Sequence, residues 1–130
     1  YKDWVDLAFL QNVHVVAACN NINFTRPEWP GHFSTVITTN MANSQGNAFF
    51  YRPGNLVSFA ARGVDVQVPW MNGGYKTVSG SSYATPRVAG ILARLLSSCG
   101  PLSAIQAQTI LTNLAEPWRE GVAASNEAPV

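Results

Sequence analysis

The sequence predicts an α/β fold with a mostly parallel sheet flanked by helices, and three observations carry that expectation. Helical spacing over residues 3–11 gives way at Asn12 to a small and β-branched run over residues 13–18, so a helix feeds directly into a buried strand, half of a βαβ unit. Further on come several short runs rich in β-branched and aromatic residues. Two amphipathic helical stripes follow them, one around Val88 and one around Leu111.

Each element has its own signal. Trp4, Leu7, Ala8 and Gln11 recur at helical spacing. Residues 13–18, interrupted only by His14, suit a strand covered on both faces. Residues 20–31 are rich in Asn and Pro and read as loop, residues 33–39 as a second strand, and residues 41–47 as loop again. Residues 49–51 predict a short edge strand ended by the turn signal Arg52-Pro53-Gly54-Asn55. Two short strands are expected over residues 56–60 and 64–68, separated by Arg62-Gly63, and residues 70–80 read as a turn-rich connection containing Gly73-Gly74.

Beyond that connection, Val88, Ile91, Leu92, Leu95 and Leu96 form one helical stripe with Arg87 and Arg94 off it. Cys99-Gly100-Pro101 stops this helix, because glycine tolerates the cap conformation and proline cannot continue the ladder. Ser103 with Gln106 makes a capping box for a last helix, whose stripe is Ala107, Ile110, Leu111 and Leu114 and which Pro117 ends. Residues 118–130 show no periodicity and are expected to form a tail or an arm, so residues 1–117 constitute the domain. The chain contains neither internal repeats nor a low-complexity segment.

Composition narrows the function. A chain of 130 residues, 47% hydrophobic, supports one modest core. With 12% charged residues and a formal net charge of +1, neither nucleic acid nor an anionic membrane is indicated as partner. No apolar run approaches the roughly 20 residues of a membrane span. Tyr1 is not an initiator Met and helix begins at once, so a processing site, a nick or a fragment edge is expected there. Cys19 and Cys99 do not form a CxxC pair and read as two free thiols. Two histidines, two distant cysteines and scattered carboxylates make no metal-ligand spacing, so no metal and no cofactor is expected.

Chemistry concentrates in Ser79-Gly80-Ser81-Ser82-Tyr83-Ala84-Thr85-Pro86-Arg87-Val88-Ala89-Gly90, where a glycine-flanked turn runs into a helix. A hydroxyl placed there sits at the positive end of the helix dipole, beside free backbone N–H groups able to bind an oxyanion. Ser82 thus suits a nucleophile, and equally an ordinary serine cap. Pro86 is expected within the first helical turn, which needs no intrahelical donor.

This segment resembles the serine motif Gly-Thr-Ser-x-Ala-x-Pro of the subtilase family, with Gly80, Ser82, Ala84, Pro86, Ala89 and Gly90 in register. Ser81 stands where the family usually has Thr, and Arg87 where it commonly has His. Val15-Val16-Ala17-Ala18-Cys19-Asn20 is similar to the family's buried strand ending in Ala-Ala-Gly-Asn. Trp29-Pro30-Gly31 leading into Val36-Ile37 is similar to its Tyr-Pro-Ala segment. Ser58-Phe59 with Gly63 and residues 64–69 looks like a strand pair ending in Ala-Pro-Gly. The four matches, in order, span most of residues 5–115.

The resemblance implies part of a three-layer subtilisin-like fold and a serine endopeptidase working through an acyl-enzyme at Ser82, with the amide of Asn20 donating to the oxyanion. It further implies that Ala17, Ala18 and Cys19 wall the pocket for the residue before the scissile bond. Cys19, in place of glycine, predicts a narrow pocket for small or slender side chains, and substrate is expected to add as a strand beside an exposed edge. Calcium is possible by the resemblance alone, with no residue assigned to it, and a secreted or extracytoplasmic location is implied in the same way.

A serine nucleophile needs a base and a carboxylate to orient it, and in subtilisin both precede the serine in the order Asp, His, Ser. His14 lies inside the expected strand and reads as a core or face residue; His32 reads as a loop residue, on the surface or lining a pocket. Asp65 reads as structural. The expected partner is therefore an N-terminal half of the same domain carrying Asp and His, and the expected substrate a peptide or protein. The alternative is a catalytically inactive pseudoprotease or binding subunit of the same fold. A nucleotide-binding reading through Gly73-Gly74 has no GxGxxG to support it.

Overall fold

The computed structural model of the chain describes residues 1–21, 26–53 and 57–124. Part of the expected loop over residues 20–31, the end of the turn signal at Gly54-Asn55 and the expected strand start at Leu56 lie outside the described residues. The helices are α1 (Lys2–Leu10), α2 (Ser81–Cys99) and α3 (Ala104–Leu114). The strands are β1 (Val16–Ala18), β2 (Ile37–Ala42), β3 (Phe49–Tyr51), β4 (Phe59–Arg62), β5 (Val66–Pro69), β6 (Tyr75–Val78) and β7 (Glu116–Pro117).

Five strands make one sheet in the order β1-β2-β4-β3-β7, in which only the β3–β4 pair is antiparallel. The α/β class with a mostly parallel sheet is thus observed. One face of the sheet carries the main core, where Ile37, Phe49, Phe59 and Ala61 meet Ala84, Val88 and Leu92 of α2 and Ala107 and Leu111 of α3. The α2 stripe read from the sequence and Ala107 and Leu111 of the α3 stripe meet in this layer, whereas Leu114, read as part of that stripe, is exposed. Burying a residue such as Val88 or Leu92 stabilises by about 1.5–3 kcal/mol. The other face buries Ala42, Phe50, Ala60 and Val122.

Several expectations shift. The second strand starts at Ile37 and not at Phe33, because residues 33–36 turn back through Phe33 N–H to Pro30 O and Val36 N–H to Phe33 O. It then runs on through Met41 to Ala42, residues expected as loop, and every one of its residues is buried. Met41 and Ala42 are strand because β4 pairs with them, and β1 and β4 together flank the strand and supply its backbone partners. The expected pairing of residues 56–60 with 64–68 is also corrected: β4 belongs to the large sheet, and β5 pairs antiparallel with β6 in a separate hairpin. Strand β6 lies within what reads as a turn-rich connection.

Residues 118–124, expected as a tail, return along the sheet. Trp118 N–H donates to Tyr51 O, the Trp118 ring packs edge-on against Phe50, and Asn43 N–H donates to Val122 O. At the other end, Val5 is the buried residue of α1, while Tyr1, Trp4, Leu7 and Leu10 remain 69, 45, 52 and 76% exposed. No single helix among the described residues is long and apolar enough to cross a membrane.

Candidate active site

Strand β1 and helix α2 create the site because the C-terminal end of one meets the N-terminus of the other. Helix α2 begins at Ser81 with Gly80 at its N-cap, and Gly80 has no side chain to satisfy the orphan N–H groups of the first turn. One of those groups, and the Ser81 hydroxyl, find partners on the chain just after β1. Ser81 N–H donates to Asn21 Oδ1 at 2.8 Å, and Ser81 Oγ donates to Cys19 O at 2.6 Å. Ser81 is completely buried, so its bond to Cys19 is shielded from water, while its bond to the exposed Asn21 is only partly so.

Ser82, the next residue, is exposed. Asn20 lies between the two residues that Ser81 grips, so Ser82 and Asn20 are brought to the same corner of the fold. With Ser81 N–H taken by Asn21 and Tyr83 N–H donating to Gly80 O at 3.1 Å, the Ser82 N–H has no acceptor among the described residues. An unpaired N–H beside an exposed hydroxyl at a helix N-terminus is a preformed anion-binding arrangement.

Pro86 lies beyond the first turn, as the sixth residue of α2, which corrects its expected placement. Having no N–H, it cannot donate to the Ser82 carbonyl four residues earlier, so the helix ladder is interrupted at the exposed serine.

Gly63 holds the elbow from the opposite side. Its carbonyl accepts from Gly80 N–H at 2.8 Å, and its own N–H donates to Ala42 O at 3.1 Å. A Cβ at this position would lie 2.7 Å from Met41 Cβ and 2.8 Å from Gly80 O, so only glycine fits. Asp65, read as structural, is exposed at φ 50, and its N–H donates to Ser79 Oγ at 2.9 Å, bracing the approach to α2.

Asn20 and Cys19 also line a cavity of about 10 Å³, room for roughly one water, together with Arg26, Glu28, Gly31, His32, Thr38 and Val57. Cys19 is buried; Ala17 and Ala18 are half-buried in β1 and do not line this cavity. Gly31 keeps its wall thin, since a Cβ there would come within 3.1 Å of the Thr38 methyl. Trp29 stands edge-on to His32 at 4.9 Å between ring centroids, and its peptide bond to Pro30 is cis.

No base reaches Ser82 among the described residues, where its hydroxyl makes no hydrogen bond. His14 lies five residues before Cys19 along an extended chain, about 16 Å of strand rise, and both its ring nitrogens are buried without a partner among the described residues. His32 faces the small cavity, as one of its two readings had it, and is exposed. Three His, Cys, Asp or Glu side chains nowhere gather into a metal-binding group among the described residues. Ser81, Asn21 and Gly63 were not singled out as site residues by their sequence; the one available signal was the hydroxyl that Ser81 shares with the family's Thr.

A mostly parallel sheet, covered by a helix whose second residue is an exposed serine beside a strand end, makes this an α/β protein. The chain belongs to the Subtilase family, whose model matches residues 5–128. It is 32% identical over 119 residues to subtilisin DY of Bacillus licheniformis, covering 88% of this chain and 43% of that protein. The minor extracellular protease Epr of Bacillus subtilis is 35% identical over 95 residues, 72% of this chain and 15% of that one. Among solved structures, sphericase superposes with a TM-score of 0.69 at 27% identity, covering 85% of this chain and 42% of that one. The chain is therefore homologous to subtilisin-like serine proteases and spans less than half the length of each of these relatives.

Proposed function

We propose that this chain is the C-terminal part of the catalytic domain of a serine endopeptidase, with Ser82 as nucleophile and Asn20 as oxyanion donor. The observation that carries the proposal is the double grip of Ser81 on Cys19 and Asn21, the two residues that flank Asn20, at the start of the helix whose next residue is Ser82. In the reaction, Ser82 Oγ attacks the peptide carbonyl carbon while a base takes its proton. The Asn20 carboxamide and the Ser82 N–H hold the oxyanion. The C–N bond then breaks, the base gives its proton to the leaving amine, and water hydrolyses the acyl-enzyme by the same steps.

The base and the carboxylate that orients it come from a segment N-terminal to this chain. Two unpartnered surfaces support such a segment. One is the apolar face of α1 formed by Tyr1, Trp4, Leu7 and Leu10. The other is a cleft of about 240 Å³ beside α2, lined by Asn47, Ala48, Ala61, Arg87, Gly90, Ile91 and Arg94.

The strand Ala17-Ala18-Cys19 flanks the substrate, which adds as an extended chain. Cys19 narrows the pocket for the residue before the scissile bond, in keeping with the small cavity beside it, so small or slender residues are favoured. Cleavage profiling on a peptide library tests this; a preference for large aromatic residues defeats it. A secreted or extracytoplasmic protein fits the name of the Bacillus subtilis relative, and recovery of the protein from medium or from cells checks it.

The decisive experiment is a fluorophosphonate probe on the full catalytic domain. Labelling mapped to Ser82 supports an activated serine; a folded domain that stays unlabelled is a pseudoprotease.

A further inference from the structure

The start of α2 is capped from outside the helix. Its own N-cap residue, Gly80, carries no side chain, and the acceptor for the first helical N–H is Asn21 Oδ1, contributed from 60 residues away. The same carboxamide lies over Gly80, with Asn21 Nδ2 3.6 Å from where a Cβ would stand. Asn21 is exposed and lies outside the hydrophobic core, so its carboxamide contributes to this corner through polar contact rather than apolar burial.

Two consequences follow from the geometry. First, Ser81 is held at two points, by Cys19 O and Asn21 Oδ1, and these two residues bracket Asn20. Without Asn21, one of these two ties between the serine turn and the chain around Asn20 remains, and the turn, still held to Gly63 and Asp65 on its other side, can shift relative to Asn20. Second, saturating the Ser81 N–H leaves the neighbouring Ser82 N–H as the unpaired backbone donor of that turn among the described residues. A displacement of about 1 Å in such an arrangement is enough to cost on the order of a hundredfold in rate.

We infer that Asn21 is a positioning residue for acyl transfer: its carboxamide oxygen, bound to the Ser81 N–H, fixes the Ser82 hydroxyl and N–H relative to the Asn20 amide. This rests on the proposal that Ser82 is the nucleophile. Asn21 touches no reacting atom; it acts through Ser81.

The test compares Asn21→Ala, Asn21→Asp and Ser103→Ala in the full catalytic domain, with the parent enzyme labelled by a fluorophosphonate probe in parallel. Ser103 caps α3, away from the site, and its removal reports what loss of a helix cap does by itself. Asn21→Ala is expected to lower kcat by about ten- to a hundredfold with KM changed less than about twofold. Asn21→Asp, which keeps an oxygen acceptor for Ser81 N–H, is expected to stay within about fivefold of the parent kcat. Ser103→Ala is expected to lower the melting temperature while leaving kcat per folded molecule unchanged. A kcat for Asn21→Ala within twofold of the parent overturns the inference, as does a loss shared equally by Asn21→Asp or matched by Ser103→Ala. An unlabelled parent overturns the nucleophile assignment and this inference with it, whereas a labelled parent with an unaffected Asn21→Ala overturns this inference alone.

Discussion

Helices α2 and α3 begin in opposite ways. Helix α3 closes its N-terminus with its own residues: Ser103 Oγ accepts from Gln106 N–H at 3.2 Å, and Gln106 Oε1 accepts from Ser103 N–H at 3.0 Å. Helix α2 has a bare glycine at the same position and takes its acceptors from the strand end at Cys19 and Asn21. A self-capped start has two of its donors, the N–H groups of Ser103 and Gln106, occupied by its own side chains. A start capped from another element is tied to the rest of the fold and keeps one N–H and one hydroxyl open. The difference separates a helix start that closes on itself from one that carries the proposed nucleophile.

The sharpest way to break this contrast is at the exposed hydroxyl. Ser82→Ala is expected to abolish fluorophosphonate labelling and to lower turnover of the full domain by a factor on the order of 10⁶, the loss that removing the nucleophile produces in subtilisin. Residual turnover within tenfold of the parent would place the nucleophile elsewhere. Next in size is Gly63→Ala, which acts behind the elbow. The added methyl meets Met41 Cβ and the Gly80 carbonyl below 3.0 Å, so β4 and the serine turn must separate. The expected cost is about 1–3 kcal/mol of stability, read by urea denaturation, together with slower labelling of Ser82. Ser81→Ala follows: the Cys19 carbonyl loses its buried donor, at a cost of about 1–3 kcal/mol, and labelling slows because one of the two ties is gone.

The same contrast explains what was legible in the sequence. The capping box Ser103/Gln106 and the stop at Gly100, whose φ is 77, are read directly because the residues that make them are neighbours in sequence. The proposed nucleophile Ser82 is read through its motif and the proposed oxyanion donor Asn20 through the strand before it. Their anchors were not. The partners of Ser81 lie 60 and 62 residues away, and no local pattern encodes a hydrogen bond across that distance. Strand β2 reads too early because Phe33, Thr35 and Val36 are aromatic or β-branched yet fold into a turn, and it reads too short because the pairing of Met41 and Ala42 with β4 is set by a segment about 20 residues on in the chain. Strand β6 escaped notice because its Tyr75, Lys76 and Thr77 are exposed and follow Gly73-Gly74. Residues 118–124 lack periodicity, yet Trp118 and Val122 bury against the sheet singly, through contacts that no repeat announces.

Smaller effects sharpen the comparison from the α3 side. Ser103→Ala removes the hydroxyl half of a local box, leaving Gln106 Oε1 on the backbone N–H of residue 103, and is expected to cost about 1 kcal/mol, seen as a lower melting temperature, with Ser82 labelling per folded molecule unchanged. If labelling slows as much as in Ser81→Ala, caps act on the site through stability alone, and the distinction between the two helix starts loses its functional meaning.

The smallest effect belongs to α1, which carries a surface ion pair, Lys2 with Asp6, at side-chain exposures of 74 and 53%. The hydrogen bond from Lys2 Nζ to Asp6 and the attraction of that carboxylate raise the lysine's pKa above its ordinary 10.5. Since the folded pKa is the higher one, the pair's contribution is present at neutral pH and is lost as pH rises through the raised value. Exposure to water and salt keeps that contribution small, and the geometry of two long solvated side chains is costly to hold. Lys2→Ala should therefore leave stability at neutral pH unchanged within the error of a urea titration, and should leave Ser82 labelling untouched. A measurable loss of labelling would mean that α1 communicates with the serine turn through β1, and that the ties at Cys19 and Asn21 are set by the helix preceding the strand as well as by the helix following it.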